Sequence, residues 1–222
     1  RGWLCKIGKA KMFASFTGEF ASLQLIDMLA CALLAAAATC RARVLGAQVM
    51  GALILGCICG LCAPLAREAL LHGPGGARLV LQAMPEAALV GSLGGVSSLL
   101  ILGKFGYKIF FWLDAASIGL ASCVAACLAI SELGIAGALV LGLICGLGPG
   151  LLRDMALGDT AMLIEQDWYA AAAALGIMLT ILVLLWQPGA AMPGISLPVA
   201  SIAAGAILAV VLRFFKRSAR ND

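Results

Sequence analysis

The chain has 222 residues, 63% of them hydrophobic and only 12% charged, with a formal net charge of +4; its mean hydropathy is +1.08. A soluble domain is roughly half apolar and about a quarter charged, so these values exclude one and predict an all-α integral membrane protein, its length nearly used up by spans of about 20 residues. The excess basic residues gather at the two ends, where they read as topology and lipid-headgroup signals rather than as a nucleic-acid surface.

Residues 1–21 set Arg1, Lys6, Lys9 and Lys11 among Trp3, Phe13, Phe16 and Phe20, the pattern of a basic, aromatic interfacial segment. Seven transmembrane helices are expected after it, near 22–39, 45–66, 84–103, 109–130, 134–153, 168–186 and 196–213, followed by a basic tail at 214–222. The first of these resembles a signal-peptide core ahead of Cys40, but Asp27 lies inside it and the repeat described below requires it. Aromatic residues such as Tyr107, Trp112, Trp168, Trp186 and Phe214 mark span ends, as an interfacial belt does. The apolar runs are continuous rather than alternating, which excludes a β-barrel.

The chain contains one segment twice. Residues 51–68 (GALILGCICGLCAPLARE) and 137–154 (GALVLGLICGLGPGLLRD) are identical at 11 of 18 positions, 86 residues apart. LIDMLACAL at 25–33 matches WLDAASIGL at 112–120, aligning Asp27 with Asp114 at an offset of 87. The repeating unit is therefore three helices, 22–103 and then 104–186, with 187–213 carrying a seventh helix outside the repeat. An odd number of spans per unit turns the second copy upside down, an inverted three-plus-three architecture. Arg41 and Arg43, Lys104 and Lys108, and Arg213, Lys216, Arg217 and Arg220 all fall on one side. This predicts an outer N-terminus and a cytoplasmic C-terminus. The basic residues ahead of the first span and the acid-rich loop with Asp159, Glu165 and Asp167 argue the other way.

Three groups are candidates for function. Gly146, Gly148, Pro149 and Gly150 predict a broken helix, because Pro149 leaves the Cys145 carbonyl without its donor. In the first copy Pro64 does the same to Gly60. Freed carbonyls at membrane depth must be buried in protein or face water, and facing water they are natural cation ligands. The competing reading is a packing kink, with Gly56-x-x-x-Gly60 and Gly142-x-x-x-Gly146 letting helices approach. Arg67–Glu68 and Arg153–Asp154 are the second group. Adjacent helical positions do not face each other, so each Arg is expected to find a partner on another helix, drawn by symmetry from the opposite repeat; the alternative is snorkelling to headgroups. Asp27 and Asp114 are the third, expected to cap helix starts or pair with Arg153 and Arg67, and less readily to attract cations at a pore mouth.

The nine cysteines lie mostly in apolar runs and read as small buried hydrophobes. On a helix Cys57 and Cys59 point to nearly opposite sides, so Cys57, Cys59 and Cys62 cannot close around one ion, and no metal is expected. His72, the only histidine, is expected in a loop, and no nucleotide-binding loop or nucleophile–base pair is present. An enzyme is not expected, nor is a cofactor.

The paired Gly-Gly-Gly-x-x-Arg-Asp-like elements in inverted three-helix units, with a seventh helix, resemble the trimeric intracellular cation (TRIC) channel superfamily, in its small prokaryotic form. The second copy fits better, with Gly148-Pro149-Gly150-Leu151-Leu152-Arg153-Asp154, then Leu157-Gly158-Asp159 and Trp168-Tyr169-Ala170. The first departs, having Cys62-Ala63-Pro64 where glycines are expected before Arg67–Glu68. The resemblance spans about 22–213. It implies a homotrimer in the bacterial plasma membrane, with lipid at subunit interfaces. It also implies a potassium- and sodium-permeable pore in each subunit, lined by kinked second and fifth helices and gated near the basic positions. The superfamily includes proteins assigned to glycine transport, so a carrier for a small zwitterion is the alternative; a structural or lipid-binding protein without a through-path is a third.

Overall fold

The computed structural model describes residues 2–102, 106–158 and 167–186. The expected seventh span and the basic tail lie outside the described residues, as do Asp159 and Glu165. Within them run α1 (Gly2–Val44), α2 (Val49–Ala83), α3 (Pro85–Leu102), α4 (Gly106–Ala156) and α5 (Asp167–Trp186). Among the described residues, Leu23–Val44, Val49–Ala83 and Leu113–Ala156 are long and apolar enough to cross a membrane. The chain is an integral membrane protein.

Three of these helices, α1, α2 and α4, are longer than a bilayer requires, and two of them, α2 and α4, are divided by a glycine. The 51 residues of α4 would extend about 77 Å at about 1.5 Å per residue, more than twice a hydrocarbon core of about 30 Å. Gly134 resolves the excess with φ 69° and ψ −174°, a conformation that other residues rarely adopt. The two limbs, 106–133 and 135–156, fold back on one another: Ala121, Ala125 and Ala129 pack with Ala138, Leu141 and Cys145. The expected fourth and fifth spans are thus the limbs of one hairpin.

Gly73, with φ 66° and ψ −155°, divides α2 in the same way. The expected second span stopped at 66 and left a loop to 83. Instead the helix continues through Arg67, Glu68 and His72, and the turns after Gly73 are helical as well. Hydropathy falls at the charged pair, but Ala66-Arg67-Glu68-Ala69-Leu70-Leu71 is made of strong helix formers. Pro74 opens the second limb, where a missing N–H is harmless. Met84 N–H donates to the Val80 carbonyl and Ala88 N–H to that of Met84, carrying the chain into α3.

Pro64 and Pro149 lie inside helices whose only non-helical dihedrals are at Gly73 and Gly134. The expected broken helix at 146–150 is therefore not unwound. A proline can be held inside a membrane helix when neighbouring helices and local adjustments accommodate the carbonyl it frees, and both prolines are buried here.

Small residues set the packing. Central α1 lies against α2, α3 and α4, presenting Ala30, Cys31, Ala35 and Ala38 as a buried face. A Cβ on Gly60 would come within 2.9 Å of the Cys31 carbonyl oxygen, and one on Gly56 within 2.8 Å of that of Ala35. In the second half, a Cβ on Gly142 would lie 3.0 Å from the Ser122 carbonyl oxygen and one on Gly146 would meet the Ser122 side chain and lie 3.3 Å from the Ile118 carbonyl oxygen. Cys31 and Ile118, and Ala35 and Ser122, stand at the same offset of 87 that relates Asp27 to Asp114. The two halves make matching contacts. Large apolar side chains point the other way: Leu25, Met50, Ile54, Val140, Met155 and Met178 are exposed, as lipid-facing residues are.

At Gly91 an added Cβ would fall within 2.7 Å of the Ala32 Cα and carbonyl carbon, whereas at Gly94 it would meet nothing within 4 Å. Forcing a methyl group into a packed contact typically costs about 1–3 kcal/mol. Gly91→Ala should therefore lower the thermal midpoint of the purified protein in detergent, and Gly94→Ala should leave it unchanged or slightly raised.

Candidate functional site

The antiparallel register of α1 and α2 places the first set of charges. With Gly60 seated against Cys31, the two following turns of α2 lie beside the preceding turn of α1, which brings Arg67 level with Asp27. The guanidinium donates to both carboxylate oxygens, Nη1 to Oδ1 and Nη2 to Oδ2, each at 2.7 Å. Its Nε donates to Glu68 Oε1 at 3.0 Å. The other Glu68 oxygen, Oε2, lies 2.8 Å from His72 Nδ1. Arg67 is 4% exposed and Asp27 7%, while the His72 side chain is 58% exposed. The network therefore runs from a buried carboxylate to the surface.

The hairpin of α4 builds the second set. Arg153 Nη1 donates to Asp114 Oδ1 at 2.8 Å and Nε to Asp154 Oδ1 at 2.7 Å. All three residues are at most 2% exposed. Both guanidinium groups are shared between two carboxylates; Arg67 meets Asp27 through a bidentate fork, a strong and directional arrangement, and Arg153 sits slightly deeper.

Three expectations change at this point. The carboxylates that hold each Arg come from its own repeat, Asp27 for Arg67 and Asp114 for Arg153, because the glycine contacts fix that register within each unit. The adjacent acids also reach their arginines: the side chains leave the helix in different directions, but a flexible stem can turn Nε toward a neighbouring carboxylate. Neither Asp caps a helix start, since Asp27 lies within α1 and Asp114 two turns inside α4. Burial also rules out snorkelling for either Arg.

Between the repeats lies a small cleft of about 170 Å³, counting space open to the surface, lined by Leu34 and Ala38 of α1, Cys59 of α2, and Asp114, Pro149, Gly150 and Arg153 of α4. The structure thus gathers four of the residues singled out from sequence: Asp114, Pro149, Gly150 and Arg153. Gly60 and Gly146 serve helix contacts, as the packing alternative required. Cys145 joins the apolar cluster around Ala125. Gly148 faces open space and Pro64 is buried away from the cleft lining. Asp27, Arg67 and Glu68 form the separate first network.

Sequence reasoning missed two participants. His72 was readable from its i,i+4 spacing to Glu68, a signal lost when it was assigned to a loop. Cys59 is identical to Cys145 in the repeated segment, yet counted only as a buried hydrophobe. Cys57 points elsewhere, with its Sγ 3.5 Å from Ser92 Oγ on α3.

A family model described as "Glycine transporter" matches residues 111–185. No curated protein matches the sequence. Among solved structures, a prokaryotic TRIC channel in 0.5 M KCl superposes with a TM-score of 0.77 at 17% identity, over 91% of this chain and 99% of that one. The TRIC channel orthologue from Rhodobacter sphaeroides gives 0.73 at 20% identity, over 87% and 95%. A structure described as the basis for conductance through TRIC cation channels gives 0.68 at 18% identity, over 88% and 93%. The chain has the fold of these channels.

Removing one member of a buried ion pair strands its partner, at a cost of about 3–5 kcal/mol. Arg153→Ala should therefore sharply reduce the yield of folded protein and its thermal midpoint. The double change Arg153→Ala, Asp114→Ala should recover part of that loss, since it removes one of the two carboxylates that lose Arg153. Arg78→Ala, at an exposed position, should have little effect, as exposed charge changes usually do. The four melting curves in one detergent test this.

Proposed function

We propose that the chain belongs to the TRIC superfamily and is a passive channel for monovalent cations, potassium and sodium, with one path through each subunit of a homotrimer. The observation that carries this reading is the charge balance at the two networks. Each guanidinium meets two carboxylates, Asp27 and Glu68 in one half, Asp114 and Asp154 in the other. Counted over Arg67, Asp27 and Glu68, the first set carries a formal excess of one negative charge in an apolar surround, which favours cations over anions.

The path runs between the first limb of α2 and the second limb of α4, past the cleft at Pro149 and Gly150. There the Cys145 carbonyl, freed of its helical donor, contributes to replacing an ion's hydration shell; Pro64 frees the Gly60 carbonyl in the same way. Arg67 and Arg153 hold the carboxylates in place and limit the opening. The two three-helix units are related by inversion, and the seventh helix supports assembly. The exposed apolar side chains of α2 and α5 face lipid. The protein sits in a bacterial plasma membrane with its N-terminus outside and its C-terminus cytoplasmic. Like the solved channels of this fold, whose descriptions name cation conduction and trimers, it works as an oligomer.

The match of 111–185 to the glycine-transporter description favours a second reading. That stretch contains Asp114, Arg153 and Asp154, which could hold the ammonium and carboxylate ends of a small zwitterion. Flux into liposomes separates the two. A channel gives potassium current that follows the ion gradient without saturating at ordinary concentrations; a carrier gives saturable glycine uptake with counter-exchange and no current.

On the channel reading, Glu68→Gln should lower the preference for potassium over chloride, measured as a shift in reversal potential under a salt gradient. Replacing Pro149 and Gly150 together by Ala restores a donor to the Cys145 carbonyl, and both changes favour helix, by about 3 and about 1 kcal/mol. The double variant should assemble normally yet lose potassium flux per oligomer. Unchanged flux would remove the carbonyl from the mechanism.

A further inference from the structure

We propose that His72 is a specificity-determining residue of the cation path: its proton decides whether the Asp27–Arg67–Glu68 set keeps its excess negative charge, so the preference for cations over anions falls as the pH falls. The inference rests on the channel reading above and adds to it a residue and a regulating ion, the proton.

Geometry joins the imidazole to the buried charges. Asp27 accepts from both Nη atoms of Arg67, Arg67 Nε donates to Glu68 Oε1, and Glu68 Oε2 lies 2.8 Å from His72 Nδ1. Both oxygens of Glu68 are therefore engaged, one by the buried cation and one by the imidazole. An ionised carboxylate only accepts, so Nδ1 carries the hydrogen of that bond and Nε2 is the nitrogen left to take up a proton. The His72 side chain is 58% exposed and that of Glu68 19%, whereas Asp27 and Arg67 are buried; the imidazole is the end of the set that water reaches. The backbone holds it there. His72 is the last residue before the break at Gly73, and a Cβ on Gly76 would come within 2.9 Å of the His72 Cβ and 2.6 Å of the Glu68 carbonyl oxygen. The second limb of α2 thus folds back over the turn that carries both residues.

Other ionisable positions lie toward the same end. Glu19 stands about two turns before Asp27 on α1, Arg78 is on the second limb of α2, and Glu132 is on α4 two residues before Gly134. Leu71 and Ile130 pack against one apolar cluster, which brings the turn of Glu132 to this end. Arg78 and Glu132 are both exposed, and among the described residues neither is bonded to His72 or Glu68.

The charge count then depends on one proton. With His72 neutral, two carboxylates and one guanidinium leave one negative charge. A proton taken from water at Nε2 brings the sum to zero and leaves the bond to Glu68 intact. Histidine is the side chain whose charge changes between about pH 5 and about pH 8, while a guanidinium keeps its charge throughout. A negative charge beside a path concentrates cations and repels anions, and cancelling it removes that bias.

The test is the reversal potential of the full-length oligomer in planar bilayers under a potassium chloride gradient, at about pH 8 and about pH 5.5. The wild-type ratio of potassium to chloride permeability should fall by roughly threefold to tenfold on acidification, the effect of losing one charge at close range in a water-rich surround. His72→Gln offers Glu68 an amide N–H but takes up no proton, and its ratio should not change between the two pH values. His72→Lys, charged at both, should hold the low ratio throughout. Arg78→Ala should keep the wild-type dependence. A wild-type ratio that acid leaves unchanged, or a His72→Gln or His72→Lys ratio that moves as the wild type does, overturns the role of His72 and leaves the channel reading in force. Absence of potassium current from the wild type at both pH values overturns both.

Discussion

Two guanidinium groups held among helices by carboxylates are the constraint on which the rest of this structure depends. A charge in an apolar bundle is tolerated only when paired and hydrogen-bonded. Arg67 and Arg153 each fulfil that condition through an acid on a neighbouring helical segment and a second acid on their own. Such pairing tolerates little slippage: a displacement of one helical turn would leave both charges uncompensated. The pairs therefore fix the register of α2 on α1 and of one limb of α4 on the other.

That register is reachable only because the helices approach closely. Hydrocarbon offers no hydrophobic drive for helices to associate, so contact has to come from shape. Gly56, Gly60, Gly142 and Gly146 supply it by letting α1 and the first limb of α4 rest against bare backbone. The order of dependence is then glycine contact, register, ion pair and cleft. The two networks are not copies, however. The first reaches the surface through Glu68 and His72, while the second is buried and borders the small cleft through Asp114 and Arg153. Two halves with matching helix contacts thus carry one exposed and one buried charge cluster.

Much of this was legible in the sequence, for identifiable reasons. Hydropathy located the apolar segments because lipid imposes a long, uniform signal. The duplicated segments at 51–68 and 137–154 related Arg67 to Arg153, and the match of 25–33 with 112–120 related Asp27 to Asp114 and exposed the unit. Partners were another matter. Sequence symmetry suggested cross-repeat pairing, but partner choice is set by helix register, which depends on how deeply glycines seat against Cys31 and Ser122. The helix also runs past the expected end of the second span, since hydropathy registers the charges at 67–68 and is blind to the helix propensity around them. The prolines were read as breaks, although burial among other helices lets the backbone keep helical angles. Cys59 stayed hidden because a lining thiol and a packed thiol look the same in sequence.

The separation of the paired residues along the chain bears on how the protein is made. Asp27 precedes Arg67 by 40 residues and Asp114 precedes Arg153 by 39. During synthesis each acid emerges, within its own apolar helix, well before its cation exists. A lone Asp within a span disfavours insertion, by about 2.5–3.5 kcal/mol at a helix centre on the translocon scale and by less near an end, where Asp27 and Asp114 lie. Each helix is thus a poor client for insertion by itself and a better one once its partner limb has emerged. The one-residue turn at Gly134 is suited to that, joining the two limbs with no intervening loop to be placed on either side. Biogenesis should then proceed by hairpins rather than by helices, with the ion pair closing as the two limbs leave the translocon together.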